Sequence, residues 1–268
     1  MAAPEPFELF AVKYARHDRP ARDSVVFGDI HDGPMPLDYY VWVARSPERT
    51  FVVDTGFDAA TAERRERPRI RSTGDAVRAV GVDPAHVEDV IITHLHYDHA
   101  GDYESFPRAR FHLQDAEMAY ATGRHMCHAR LQTPFDVEHV TGMVRQVYRG
   151  RVAFHDGSAE ICRGFEVHRV GGHSDGLQVC RVWTRRGWVV VASDATHFYL
   201  NLETGNPFPI VFDVGAMLEG HRTCLRLSES GTVRHVVPGH DPLVLERYPA
   251  VSSELEGVAC RLDVDPSA

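Results

Sequence analysis

The chain has 268 residues, 43% of them apolar and 25% charged, with a net charge of −9 when histidine is counted neutral. That length supports a sizeable core, and the acidic balance argues against a phosphate-backbone partner. The start, "MAAPEPFELFAVKYARHDRPARD", lacks the basic-then-apolar order of a secretory signal, no apolar run is long enough for a bilayer, and the five scattered cysteines include no Cys-x-x-Cys pair. A cytoplasmic protein without disulfides and without a nucleic-acid or membrane partner is expected.

In chain order, Tyr39–Ala44 ("YYVWVA") and Phe51–Asp54 ("FVVD") read as strands, being rich in β-branched and aromatic residues. The polar "RSPER" between them makes a hairpin. Asp75–Val80 reads as a short helix closed by Gly81. "VEDVIITH" (87–94) is a short β-branched apolar run, hence a buried strand. Arg110–Gln114 is a further strand, after which Asp115 is placed to cap the helix "AEMAYAT", which stops at Gly123. Residues 124–150 carry apolar side chains at loosely helical spacing and read as a helical insertion or lid. Then come "VAFHD", "FEVHRV", "LQVCRVWT" and "GWVVVASD", the last two joined through a hairpin turn at "RRG". A helix over Val214–Ser228 and a final strand and loop, "VRHVVPGH" (233–240), complete the pattern. The alternation of strands and helices predicts a mixed α/β layered protein with outer helices; the strand order does not follow from the pattern.

Histidine is the compositional outlier, with 17 copies. The strand ending at Thr93 runs into "HLHYDH", which places His94, His96, Asp98 and His99 in six positions. Imidazole nitrogens and carboxylate oxygens are the ligands that Zn²⁺ accepts. Three later strand ends repeat the chemistry in Gly- or Ser-bearing turns: "VGGHSDG" offers His173, "VVVASDATHFY" offers Asp194 and "VVPGHD" offers His240. Five histidines and two aspartates are the ligand count of two metals joined by a carboxylate.

On these residues the sequence resembles the metallo-β-lactamase superfamily, whose His-x-His-x-Asp-His signature stands here as "HLHYDH". The likeness runs from "FVVDTG" near residue 51 to "VPGHD" near 240. It implies an αββα sandwich of two mixed β-sheets with outer helices, formed as a single domain over 1–268 with the helical insertion at about 122–150. It implies two zinc ions, the same N/O set also accepting Mn, Fe or Co. His94, His96 and His173 would hold one ion, Asp98, His99 and His240 the other, and Asp194 would bridge. Asp54 matches a family aspartate that either supports the ligand loops or only caps its turn. The flavodiiron branch carries Glu where this chain has His96, so hydrolysis is favoured over oxygen reduction; the mononuclear iron dioxygenase branch keeps the motif and stays open.

Within the superfamily, "THLHYDHAGD" followed by "FHLQDAEMAYA" is most similar to the N-acyl-homoserine lactone lactonases. That resemblance implies a quorum-quenching type of lactonase acting on a small lactone by attack of a metal-bridging hydroxide, with Asp98 orienting the nucleophile, and a homodimer. Hydrolysis of another cyclic amide, ester or thioester uses the same ligands and remains an alternative. "GGHSDGLQ" matches the branch's Gly-His-Ser-Pro-Gly-His loop with Asp175 at the proline position. In the lactonases a tyrosine lies three residues after the bridging aspartate; here that position is His197, with Tyr199 two further on. His197 either donates to the leaving oxygen in the tyrosine's place or packs, and Tyr199 is the other candidate. "ETGNPFPIVFD" (203–213), with Phe208, Ile210 and Phe212, reads as a pocket wall or a stiff connection, and Met126, Phe135 and Met143 as a facing wall or as buried packing.

Overall fold

The computed structural model describes residues 4–28, 31–229 and 235–266. Its central strand, β2 (Leu37–Arg45), shows how the layers arise. Val41 and Val43 face one apolar core while Tyr40, Trp42 and Ala44 face another. The period of two that sends alternate side chains to opposite faces thus meets a packed layer on both sides, and every residue from Leu37 to Ala44 is buried.

The larger sheet has seven strands in the order β12 (Ala259–Arg261), β1 (Glu8–His17), β2, β3 (Thr50–Val53), β4 (Asp89–Ile91), β5 (Arg110–Gln114) and β6 (Val152–His155). Pairing is antiparallel from β12 to β3 and parallel from β3 to β6. The smaller sheet has the order β11 (Val236–Pro238), β10 (Gly187–Ser193), β9 (Gln178–Thr184), β8 (Phe165–Arg169) and β7 (Ser158–Cys162), with only β10 and β11 parallel. The sheets face each other across Trp42, Phe51, Phe165 and Val182, and the Phe51 and Phe165 rings stack at 4.1 Å. Helices α2 (Thr73–Ala79) and α5 (Val137–Tyr148) cover the larger sheet through Ala76, Val77, Val140 and Met143; α7 (Val214–Leu227) covers the smaller through Cys224. This is the expected αββα sandwich of two mixed sheets.

Some expectations shift on inspection. β4 is only three residues long, because the chain leaves the ladder at Ile92 to form the site. Asp115 is the first residue of α3 (Asp115–Thr122), not its cap. The strand passes into the helix without a loop, so the cap position falls on Gln114, whose side chain instead bonds Gln178 and Gly157. In the 124–150 stretch, α5 is the crossover that returns the chain from β5 to parallel β6, and Met143 lies in the outer core. Of the final strand, Val233 and Arg234 lie outside the described residues. β1, the longest strand at ten residues, was not among the elements expected. Among the described residues no helix is long and apolar enough to cross a membrane.

Parallel pairing of β3 with β4 and of β10 with β11 brings the carboxyl ends of four strands to one edge of the sandwich. The crevice beyond the carboxyl ends of parallel strands is where α/β folds place their ligands. Gln178 ties the two sheets together there, its backbone N–H bonding the Thr93 carbonyl and its side chain the Ile92 and His112 carbonyls at 2.8–3.0 Å.

Candidate metal centre

The segment after β4 turns back on itself and buries His94, His96, Asp98 and His99 together. His173 follows β8, Asp194 follows β10 and His240 follows β11, and all three are buried against that segment. Asp194 stands in the middle. Its Oδ2 lies 3.1 Å from His173 Nε2 and 3.8 Å from His94 Nε2. Its Oδ1 lies 3.2 Å from His99 Nε2 and 3.0 Å from His240 Nε2. His96 Nδ1 is 2.9 Å from His173 Nε2, and Asp98 Oδ2 is 3.6 Å from Nε2 of both His99 and His240. Among the described residues, three groups could hold a metal: His94, His96, His173 and Asp194 on one side, Asp98, His99 and His240 on the other, and Asp194 with His197 and His240 between them, with the ligand atoms of each within 4.8 Å of one another.

The far sides of these imidazoles show what the near sides offer. His173 Nδ1 meets the Ile210 carbonyl at 2.7 Å, and His240 Nδ1 meets the Asp38 carbonyl at 3.0 Å. A carbonyl only accepts, so each Nδ1 carries the proton, and Nε2 is the nitrogen left to turn inward as a metal ligand. His99 Nδ1 donates to Asp54 Oδ2 at 2.7 Å with the same result. These inward nitrogens face the oxygens of Asp194 at hydrogen-bond distance, so either protons or a cation must lie between them. His94 Nε2, His99 Nε2 and Asp194 Oδ1 are buried without any hydrogen-bond partner, a costly arrangement that a cation relieves. This all-N/O set fits divalent metal ions.

The electrostatics divide the cluster. Burial drives the imidazoles of His94 and His96 well below their ordinary pKa, into the neutral form that ligates metals. For His99 and His240 burial acts in the same direction, but Asp194 beside them reverses it and raises both. Burial also opposes ionisation of Asp194, yet His197, His99 and His240 around it hold its carboxyl well below the usual range. The cluster's second half draws positive charge.

Around the ligands sits a rigid frame. Asp54 takes a left-handed backbone (φ 65°), which Asp tolerates better than most residues. Its carboxylate accepts from Thr93 N–H at 2.8 Å as well as from His99, so it positions a ligand in addition to shaping its turn. Glu117, fully buried on α3, joins the two histidine loops. It accepts from Leu95 N–H at 2.8 Å, from Gly176 N–H at 3.0 Å and from the Ser174 hydroxyl. Gly176 admits this approach because a Cβ there would lie 2.0 Å from Glu117 N. Glu117 carried no separate signal in the sequence beyond being an acid among the apolar residues of a helix start.

His197 belongs to the cluster. Its Nε2 is 3.0 Å from Asp194 Oδ2 and its ring stacks on Phe208 at 3.6 Å. Tyr199 does not belong. It begins α6 (Tyr199–Thr204), whose first turn carries its ring into the core between the sheets, beneath Arg247 at 3.9 Å. A cavity of about 310 Å³ opens over the cluster, with Phe208 and Ile210 in its wall. Phe212 lines a smaller apolar side pocket of about 100 Å³ beside Tyr120, at 4.7 Å. Met126 lies on neither; it lines a separate groove with Val137 and Val140, because the turn before α4 (Ala129–Gln132) holds it beyond the Thr133–Pro134 wall. Phe135 packs edge-on against His96 at 4.6 Å. Unforeseen in the cavity wall are Tyr39 and Tyr97, their hydroxyls 3.0 Å apart, and three arginines, Arg19, Arg65 and Arg67.

A model of the metallo-beta-lactamase superfamily matches residues 35–247, and the chain belongs to that superfamily. It is 49% identical over 47 residues to the N-acyl homoserine lactonase AttM of Rhizobium johnstonii, a match covering 18% of each chain. Such matches thus span less than a fifth of the AttM length. It is 24% identical over 223 residues to an N-acyl homoserine lactonase of Bacillus cereus, covering 78% of this chain and 80% of the relative. Among solved structures, a quorum-quenching N-acyl homoserine lactone lactonase superposes with a TM-score of 0.74 at 20% identity, over 90% of this chain and 94% of that one. The dizinc quorum-quenching lactonase AidC, in complex with its product, superposes with a TM-score of 0.70 at 15% identity, over 90% and 89%.

Proposed function

We propose that this protein is a two-metal hydrolase that opens a small lactone ring. The observation that carries the reading is Asp194, whose two oxygens each face a separate set of buried imidazoles. His94, His96 and His173 would hold one ion and Asp98, His99 and His240 the other, with Asp194 shared; zinc is the ion this donor set suits best. When bound, such ions supply Lewis acidity toward a carbonyl and lower the pKa of water to near neutrality.

The remaining work falls to the chain. Asp54 and the Ile210 and Asp38 carbonyls fix the tautomers of His99, His173 and His240. Glu117 keeps the two histidine loops at one separation. His197 stands where related lactonases carry tyrosine, and its contact with Asp194 Oδ2 orients the shared carboxylate. Tyr39 and Tyr97 put hydroxyl donors on the cavity wall, where they replace the missing tyrosine as partners of a substrate oxygen. The AttM and Bacillus relatives are named for lactone hydrolysis, and the small cavity suits a compact ring.

The test is proton release by the zinc-loaded protein on homoserine lactones, other lactones, thioesters and cyclic amides. Acid release confined to lactones is expected. Turnover of thioesters or amides alone overturns the lactone assignment while leaving the hydrolase. One bound iron per chain with oxygen uptake and no hydrolysis moves the protein to the dioxygenase branch.

A further inference from the structure

The rim of the cavity is basic in a protein that is acidic overall. Arg19, just past the end of β1, and Arg65 and Arg67, just past α1 (Ala59–Arg64), all line it. Several arginines elsewhere are paired with carboxylates, as in Arg45 with Glu8 at 2.7 Å and Arg64 with Asp136 at 2.6 Å. Among the described residues, none of the three rim guanidiniums has a carboxylate partner. Arg65 donates to the Thr133 and Phe135 carbonyls at 2.6–3.2 Å and lies over the Tyr97 ring at 4.1 Å. Arg67 donates to the Arg65 and Glu66 carbonyls and also bonds the Tyr97 and Tyr39 hydroxyls, and Arg19 donates to the Asp23 carbonyl. Asp23, the acid on the rim, has Arg22 as its ion-pair partner at 3.8 Å.

Two further observations bear on what this rim accepts. Nε of Arg19 and Nε of Arg67 are both buried with no hydrogen-bond acceptor, so each guanidinium keeps unused donor capacity out of bulk water. The two charges also share one small space: burial and then the field of Arg67 and Arg19 lower His17, in the same wall, to about 4. The arginines are anchored to the cluster as well. Arg19 sits over the Phe208 ring at 4.9 Å, and Phe208 is stacked on His197. Tyr39, which shares a hydroxyl contact with the Arg65-covered Tyr97, meets the His240 ring at 5.2 Å.

Guanidiniums without a carboxylate ion pair, two of them with an unused Nε donor and only Asp23 nearby to offset Arg19, are held at the mouth of a small cavity and make a seat for a carboxylate-like oxyanion. We infer that the substrate carries a carboxylate, bound by Arg19 and Arg67 in the field of Arg65, while its reacting carbonyl lies over the Asp194 cluster. This rests on the hydrolase reading above and deepens it: the preferred substrate is a compact anionic lactone, not a neutral one with a long apolar tail.

The test compares, on the zinc-loaded protein, a γ-lactone bearing a ring carboxylate with the primary amide of the same lactone. The carboxylate is expected to be favoured about tenfold or more in kcat/KM, mainly through KM, with the ratio falling toward one in Arg67→Gln and in Arg19→Gln. Arg67→Lys, which keeps the charge, should retain part of the preference. A second readout needs no turnover: calorimetric titration with glutarate and with butanoate, which has one carboxylate fewer. Glutarate should bind about tenfold tighter, and Arg67→Gln should abolish that difference. If the amide is opened as well as the acid, or glutarate binds no tighter than butanoate, the anion seat is wrong even where lactones are hydrolysed. If the glutarate preference holds and disappears in Arg67→Gln while no lactone is opened, the anion seat stands and the lactone assignment falls.

Discussion

The floor and the rim of the cavity are built on opposite principles. In the floor, every proposed metal ligand is buried, and three of the histidines are fixed from behind by a specific acceptor: Asp54 for His99, the Asp38 carbonyl for His240, the Ile210 carbonyl for His173. In the rim, the arginines are only half-buried and bond mainly to backbone carbonyls rather than to carboxylates. The floor spends its rigidity on holding ligand atoms that repel one another unless a cation lies between them. The rim leaves charge uncommitted. On the proposed function, the difference separates chemistry, assigned to the floor, from choice of substrate, assigned to the rim.

The most drastic way to break the floor is Asp194→Ala. Both ligand sets lose a member, so bound metal and turnover should fall together. A rate loss of about 10³-fold or more is expected from the several kcal/mol that a metal centre contributes, measured by elemental analysis beside proton release. Full turnover without metal would refute the floor's role. Asp54→Ala leaves all seven ligands in place and removes only the acceptor behind His99. Metal affinity should drop about 10–100-fold, as read by competition with a chelator, with the rate recovered at high metal concentration.

Gly176→Ala tests the frame instead of the ligands. Its Cβ would meet the α3 backbone at Glu117 N, 2.0 Å away, where no flexible side chain can give way. A destabilisation of about 3 kcal/mol is expected, at the upper end of overpacking in a tight core, read from the denaturant midpoint. The smallest effect is expected for Tyr199→Phe. Because Tyr199 faces the inter-sheet core, away from the Asp194 cluster, its change should alter turnover by no more than about twofold. A large loss of rate with normal metal content would return Tyr199 to the site.

The same contrast explains what could be read from the sequence. The clustering of "HLHYDH" was legible because four candidate ligands fall in six positions, and that of His173, Asp194 and His240 because each ends a β-branched run in a small-residue turn. The two-sheet sandwich followed from the family resemblance, whereas its strand order did not, since the crossovers are set by contacts far apart in the chain. β1 escaped notice although "ELFAVKYARH" is strongly apolar; its strand identity is fixed by pairing with β2 and with β12 at the other end of the chain. The arginines were illegible for a related reason. Arg65 and Arg67 sit in "RRERPR", which reads as a solvated charge run, and only the fold brings them beside Arg19. Met126 and Tyr199 show the converse: nearness in sequence to site residues does not settle which way a turn sends a side chain.

The most direct test of the central claim is the number of metal ions bound per chain after purification and reconstitution with zinc, measured by elemental analysis against amino-acid quantitation. Two zinc ions per chain, falling in Asp194→Ala, is the result the shared carboxylate predicts. A chain that saturates at one ion, with Asp98, His99 and His240 replaceable by alanine without loss of metal, would contradict it.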